Sequence, residues 1–218
     1  MIRSFARSVE PSANRRLGGS SVKLRGGSLS TFEMVIDLKE KLTAREFAAL
    51  SRYKARLDFA HSLRSLNTLE LSAATTDAYF VLTKLGLAFS AIEALRAAIG
   101  KDRQFVLRQS EVQQAIESGE LAALIQHLHR QAASQKRGNP KELEGYLNGQ
   151  CDEDLLPLVK HARHVMFHGS VTPNTVSLAG SRKRRGVVLA LATATLALTE
   201  SELEHWLRTV VAKRSLDA

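Results

Sequence analysis

From Thr43 onward, apolar residues recur at intervals of three and four, the spacing that lines one face of an α-helix. Phe47, Leu50, Tyr53, Leu57 and Ala60 form the first such stripe, and Thr43 with Glu46 has the spacing of a capping box that would start it. After a connection over 67–76, a second stripe runs through Tyr79, Leu82, Leu85, Phe89, Ile92 and Ile99. Thr76 or Asp77 is placed to cap it, and Gly100 to end it. That stripe is too wide for a helix with an ordinary solvent face, so it predicts the central core helix. A third helical stretch covers 110–135, with Leu121, Leu124, Ile125 and Leu128 as its apolar face and Gly119 as a candidate break.

The tract QKRGNP over 135–140 reads as a loop. Asp152 or Asp154 then opens a helix with Pro157 in its first turn, continued by Leu158, Val159, Ala162, Val165 and Met166 and closed by Gly169. Residues 172–186 read as a loop containing the cluster SRKRRG. Over 187–198 alanine favours helix while the Val and Thr content favours strand. Thr199 and Glu202 again have capping-box spacing and predict a separate terminal helix through Leu203, Trp206 and Val210. Residues 31–38 fit a short strand or an extended lead-in. The sum is a mainly all-α fold of four or five helices with antiparallel neighbours. A small β-hairpin or extended appendage follows Gly169.

Composition narrows the function classes. The chain has 31 Lys and Arg against 22 Asp and Glu, a formal charge of +9. A field of that sign draws polyanions, nucleic acid above all. Residues 1–30 hold six of the basic residues and one acid, Glu10, among serines and glycine pairs. They read as a flexible basic arm, with a transit peptide as the alternative, ahead of a single domain over 31–218. Cys151 stands alone, which excludes an intrachain disulfide and a Cys-based zinc cluster and points to a reducing, cytoplasmic setting. No unbroken apolar run reaches the roughly 20 residues of a membrane span, so no membrane partner is expected. Gly-rich phosphate loops, GxSxG and HExxH are absent from the sequence.

The chemistry-bearing segment reads HARHVMFHG, from His161 to Gly169. Arg163, the polar His164, three further residues and His168 resemble the motif of the HEPN family, and the following glycine fits it. LAFSAIEAL, residues 87–95, is similar to the early family helix that often carries an acid, here Glu93. The resemblance covers about 76–169. It implies a compact helical domain that dimerises and brings two Arg–His pairs into one groove, where many members cut RNA without a metal or other cofactor. It places Arg163, His168, His164 and Glu93 as the catalytic group, in a toxin–antitoxin or phage-defence setting with a possible antitoxin or complex partner.

The residue types suit such a reaction. Histidine has a reference pKa near neutrality, so His168 can act as acid or base, and Arg163 stays charged and can grip two phosphate oxygens. On an ideal helix the two lie about 140° apart, so a groove between helices is needed, which predicts a homodimer through this helix. The basic run Arg182, Lys183, Arg184 and Arg185 is the candidate grip on an RNA backbone. Other readings of these residues stand beside this one. His161, His164 and His168 share a helix face within about 60° and suggest a zinc site. Arg163 could instead serve only as the ion-pair partner of Glu93, with His168 capping the helix. The alternative function is a catalytically inactive helical module that binds RNA or a protein partner.

Overall fold

In the computed structural model, the described residues are 42–100, 104–113, 119–135, 140–148, 154–167 and 178–216. Seven helices are present among them: α1 (Ala44–Ser62), α2 (Ala73–Ile99), α3 (Gln109–Gln113), α4 (Glu120–Gln135), α5 (Pro140–Leu147), α6 (Leu156–Phe167) and α7 (Arg182–Leu216). The fold is all-α. The expected arm over 1–30 and the lead-in over 31–38 lie outside the described residues.

Helix α1 starts where the capping box puts it. The Thr43 side chain accepts from the Glu46 N–H at 3.2 Å, and the Glu46 carboxylate accepts from the Thr43 N–H at 2.7 Å. Helix α2 opens one turn earlier than the sequence suggests, with Ser72 rather than Thr76 or Asp77 as its N-cap. Thr76 is instead buried inside the helix, where its hydroxyl shares a 2.7 Å hydrogen bond with Thr68. Gly100 ends it at φ 114°, a conformation that disfavours any L side chain.

Helix α2 is the centre of the molecule. It packs most extensively against α1 on one side and α7 on the other, and also against α6. Leu85, Ala88, Ala91, Ile92 and Leu95 are fully or almost fully buried. The alanines let neighbouring helices approach closely, while the larger residues supply the transfer energy. Over residues 80–99, α2 is exposed only at Glu93 and Ala97.

Helix α7 corrects two expectations and resolves a choice that the sequence leaves open. It begins at Arg182, so the basic cluster is its first turn and not a loop. Ser181 accepts from the Arg184 N–H at 3.2 Å, and the Arg185 guanidinium donates to the carbonyls of Leu178 and Ala179. The stretch 187–198 is helix. Thr199 starts no new helix: it is fully buried mid-helix, donates to the Leu196 carbonyl at 2.7 Å and accepts from the Tyr53 hydroxyl at 3.4 Å. Burial pushes the Tyr53 phenol far above its ordinary pKa, so it stays a neutral donor to Thr199. No β-hairpin follows Gly169 among the described residues. The β pairing among them is an isolated bridge, Arg108 with Asp154.

Two helices, Ala73–Ile99 and Arg182–Val210, are long and apolar enough to cross a membrane. A search for unbroken apolar runs misses them because Thr, Ser and Gly interrupt both. In α2 the property accompanies packing, since 61% of its apolar window is buried within the protein.

Two substitutions test this architecture by urea unfolding. Leu85→Ala removes a fully buried side chain from the centre of α2 and should cost about 2–5 kcal/mol. Gly186 is exposed in the second turn of α7, and an added Cβ would meet nothing within 4 Å. Gly186→Ala should therefore stabilise by about 0.5–1 kcal/mol; a loss would contradict a continuous helix there.

Candidate functional site

The placement of α6 begins with Asp154. One oxygen of its carboxylate accepts from the Leu107 N–H at 2.8 Å and from the Leu156 N–H at 3.0 Å. Its carbonyl accepts from the Tyr146 hydroxyl at 2.6 Å, and the next N–H, of Leu155, donates to the Leu107 carbonyl at 2.7 Å. Asp154 is thus the opener of α6 that the sequence suggests. It also ties together the 104–107 segment, the end of α5 and the start of α6. Leu155, Leu158 and Val159 are fully buried behind it, which fixes the rotation of α6.

With that rotation, Arg163 faces α2. Its guanidinium lies 3.6 Å from the Glu93 carboxylate and 5.7 Å from the centroid of the Phe89 ring. Glu93 and Arg163 are far apart in the chain, and the two segments that carry the family resemblance meet at this contact. The side chains are 46% and 33% exposed, so the pair looks onto solvent. An exposed pair at that separation adds at most about 1 kcal/mol to stability. Folding energy therefore does little to explain why a carboxylate occupies one of the two exposed positions in this part of α2.

Of the three histidines, His161 and His164 are among the described residues, and they differ in exposure. His164 is exposed, whereas His161 is 5% exposed and its Nε2 has no hydrogen-bond partner. The difference arises because Leu158, His161 and Ala162 lie on the inward side of α6, a side that the apolar residues alone determine. Burial, and secondarily the neighbouring His164, lower the His161 pKa. His168 lies outside the described residues. No group of three or more His, Cys, Asp or Glu able to hold a metal occurs among them.

The basic run at the start of α7 is partly committed to structure. Arg185 caps the carbonyls of Leu178 and Ala179, and Lys183 sits 3.7 Å from Glu120 at the start of α4. Arg182 is exposed and Arg184 half-buried. A charge run that doubles as a helix start has no distinctive sequence signal, because its residues lack the apolar period that marks the rest of α7.

Comparison with known proteins finds no protein-family model, no curated protein and no solved structure that matches this chain.

The buried imidazole gives the fold a pH dependence of definite sign. With its folded pKa below the ordinary value near 6.5, His161 is neutral in the native state, and the unfolded chain binds the extra proton. Stability should be complete above pH 6.5 and fall as the pH drops below it. Thermal melting from pH 7.5 to 5 should show this slope, and His161→Phe should flatten it. An equal slope in a folded His161→Phe protein would assign the effect to other groups.

Proposed function

We propose that this protein is a metal-independent RNA endonuclease of the HEPN type, working in the cytoplasm as a homodimer. The observation that supports the reading most is the Glu93–Arg163 contact at 3.6 Å, which joins the two segments resembling that family. It lies on a solvent-facing seam of the all-α fold, as a groove for a long substrate requires.

RNA supplies its own nucleophile. A base removes the 2′-hydroxyl proton, the 2′-oxygen attacks phosphorus, and the bond to the 5′-oxygen breaks as an acid protonates it. The products are a 2′,3′-cyclic phosphate and a 5′-hydroxyl. Arg163, permanently charged, stabilises the dianionic phosphorane. Glu93 orients the guanidinium through one edge. His168 and its counterpart in the second subunit take the acid and base roles, and exposed His164 stands beside the strand. Arg182 and Arg184 hold the backbone further along, with Lys183 and Arg185 contributing to the field. A toxin or phage-defence effector, held silent by a partner protein, is the setting this chemistry suits.

A second reading has its own support. Around the α1–α2 connection, Phe59 is 54% exposed, Leu71 43% and Leu69 fully exposed. Apolar side chains grouped in this way suit a catalytically inactive module that docks on a protein partner.

Labelled RNA incubated with the pure protein and excess chelator separates the two. The nuclease cuts; Arg163→Ala and His168→Ala lower the rate about 10²–10⁴-fold while RNA binding persists. Glu93→Gln retains binding and cuts more slowly. Binding without cutting by the unaltered protein refutes the enzyme and favours the module. Sedimentation showing a monomer at high concentration removes the shared groove.

A further inference from the structure

One further feature opens on the same seam. A cleft of about 440 Å³ lies between the start of α1 and the end of α2, lined by Arg45, Glu46, Arg96, Ala97, Ala98 and Gly100. We propose that this cleft is a phosphate-binding subsite in which Arg45 and Arg96 grip a phosphodiester of the RNA strand, one helical turn from the Glu93–Arg163 pair. The identity of the strand as RNA rests on the function proposed above; the phosphate chemistry rests on the cleft.

The Arg96 guanidinium stacks 4.9 Å from the centroid of the buried Phe105 ring, which fixes its plane. Its Nε is buried without a hydrogen-bond partner, and no carboxylate pairs with it among the described residues. A half-buried cation with no internal counter-ion is poorly compensated until an outside anion completes it. Arg96 does sit in the last turn of α2, where a cation suits the helix dipole. Arg45 has no such explanation. It occupies the first turn of α1, where a positive charge opposes the dipole, and no acid pairs with it among the described residues. Glu46, the carboxylate lining the cleft, has one oxygen accepting both the Thr43 N–H and the Thr43 hydroxyl. Two cations thus face one acid already held by capping bonds.

The cleft also continues a basic band. Arg45, Arg52 and Arg56 fall within about 40° of one another on α1, and Arg56 donates to the Ser90 carbonyl of α2 at 2.9 Å. Glu93 and Arg96 are three residues apart on α2, about 4.5 Å along its axis. A strand bound at Arg163 can therefore continue into the cleft without leaving the window in which α2 meets solvent. Small residues at 97, 98 and 100 leave that approach open, and a Cβ built on Gly100 would meet nothing within 4 Å.

The test uses the full chain and a fluorescein-labelled single-stranded RNA, with anisotropy measured across a potassium chloride series. Each phosphate contact on a single strand contributes about 0.7 to the slope of log affinity against log salt. Arg45→Gln and Arg96→Gln should each reduce the slope by about that amount and weaken binding severalfold, and the double variant by about twice as much. Arg208→Gln, which removes an equal charge from an exposed site on α7, should leave the slope unchanged. If the protein cuts, KM rises in Arg45→Gln and kcat at saturating RNA is unchanged. Because Arg45 is exposed, its variant stays informative even if Arg96→Gln fails to fold. An unchanged slope in Arg45→Gln, an equal loss in Arg208→Gln, or no RNA binding by the unaltered protein overturns the subsite. Binding without cutting would refute the nuclease alone, and the slopes would still decide the cleft.

Discussion

A helix buried along most of its length must be covered along most of its length, and α2 imposes that constraint on the whole molecule. Leu85, Ile92 and Leu95 are inaccessible to solvent, and from residue 80 to 99 the helix is exposed only at Glu93 and Ala97. α1 and α7 take most of the surface, and α6 takes part of what remains. The seam left over is narrow, and its position follows from where the covering helices stop. The ion pair to Arg163 and the arginine-lined cleft are neighbours for this reason, with no further coincidence required.

Coverage alone does not bring Arg163 to the seam. A helix of twelve residues such as α6 has marginal intrinsic stability, so its rotation must be set from outside. Asp154 does this by accepting two N–H groups, one from α6 and one from the 104–107 segment, while Tyr146 binds its carbonyl. Those bonds join elements distant in sequence, and together with buried Leu158 and Val159 they point residue 163 outward and residue 161 inward. The histidine turned inward makes protonation costly; the arginine turned outward meets Glu93. One helical rotation produces both outcomes.

Much of this was legible in the residues. The Thr43–Glu46 capping box, the stop at Gly100, the breadth of the α2 stripe and the break at Gly119 are local signals, and local geometry obeys them. The pairing of Glu93 with Arg163 is the contact that the sequence offers as the ion-pair alternative to a catalytic role for Arg163. Thr199 with Glu202 shows where such signals fail. The same spacing that starts a helix can sit inside one when the hydroxyl bonds the carbonyl three or four residues back, as Thr199 and Thr195 both do. Only the buried partner, Tyr53, distinguishes the cases, and it lies in a different helix. The start of α7 is illegible for the opposite reason: a basic turn carries no apolar period, and the Ser181 cap is followed by four basic residues. α5 escaped notice because eight residues offer little period to read, although Leu143 is fully buried. The inward orientation of His161 and the meeting of Arg45 with Arg96 depend on packing between helices, which spacing along one helix does not contain.

The placement of positive charge says more than its total. Helices favour acids in the first turn, and α7 has none there but four consecutive basic residues, while α1 carries Arg45 beside its capping glutamate. The start of α7 depends on a neutral hydroxyl cap, Ser181, whereas at α1 the Thr43 hydroxyl shares the capping with the Glu46 carboxylate. The basic start of α7 therefore opposes local helix stability, and with the cap in place the cost is a few tenths of a kcal/mol to about 1 per charge. A bundle with so large a core tolerates that loss easily. At that helix end the dipole and the side-chain charges add, with Lys183 partly offset by Glu120. Fields of the same sign that reinforce one another raise the potential far more than scattered lysines would, and they draw in a polyanion before any specific contact forms. Stability conceded at the start of α7 is a local conflict in an otherwise locally consistent sequence.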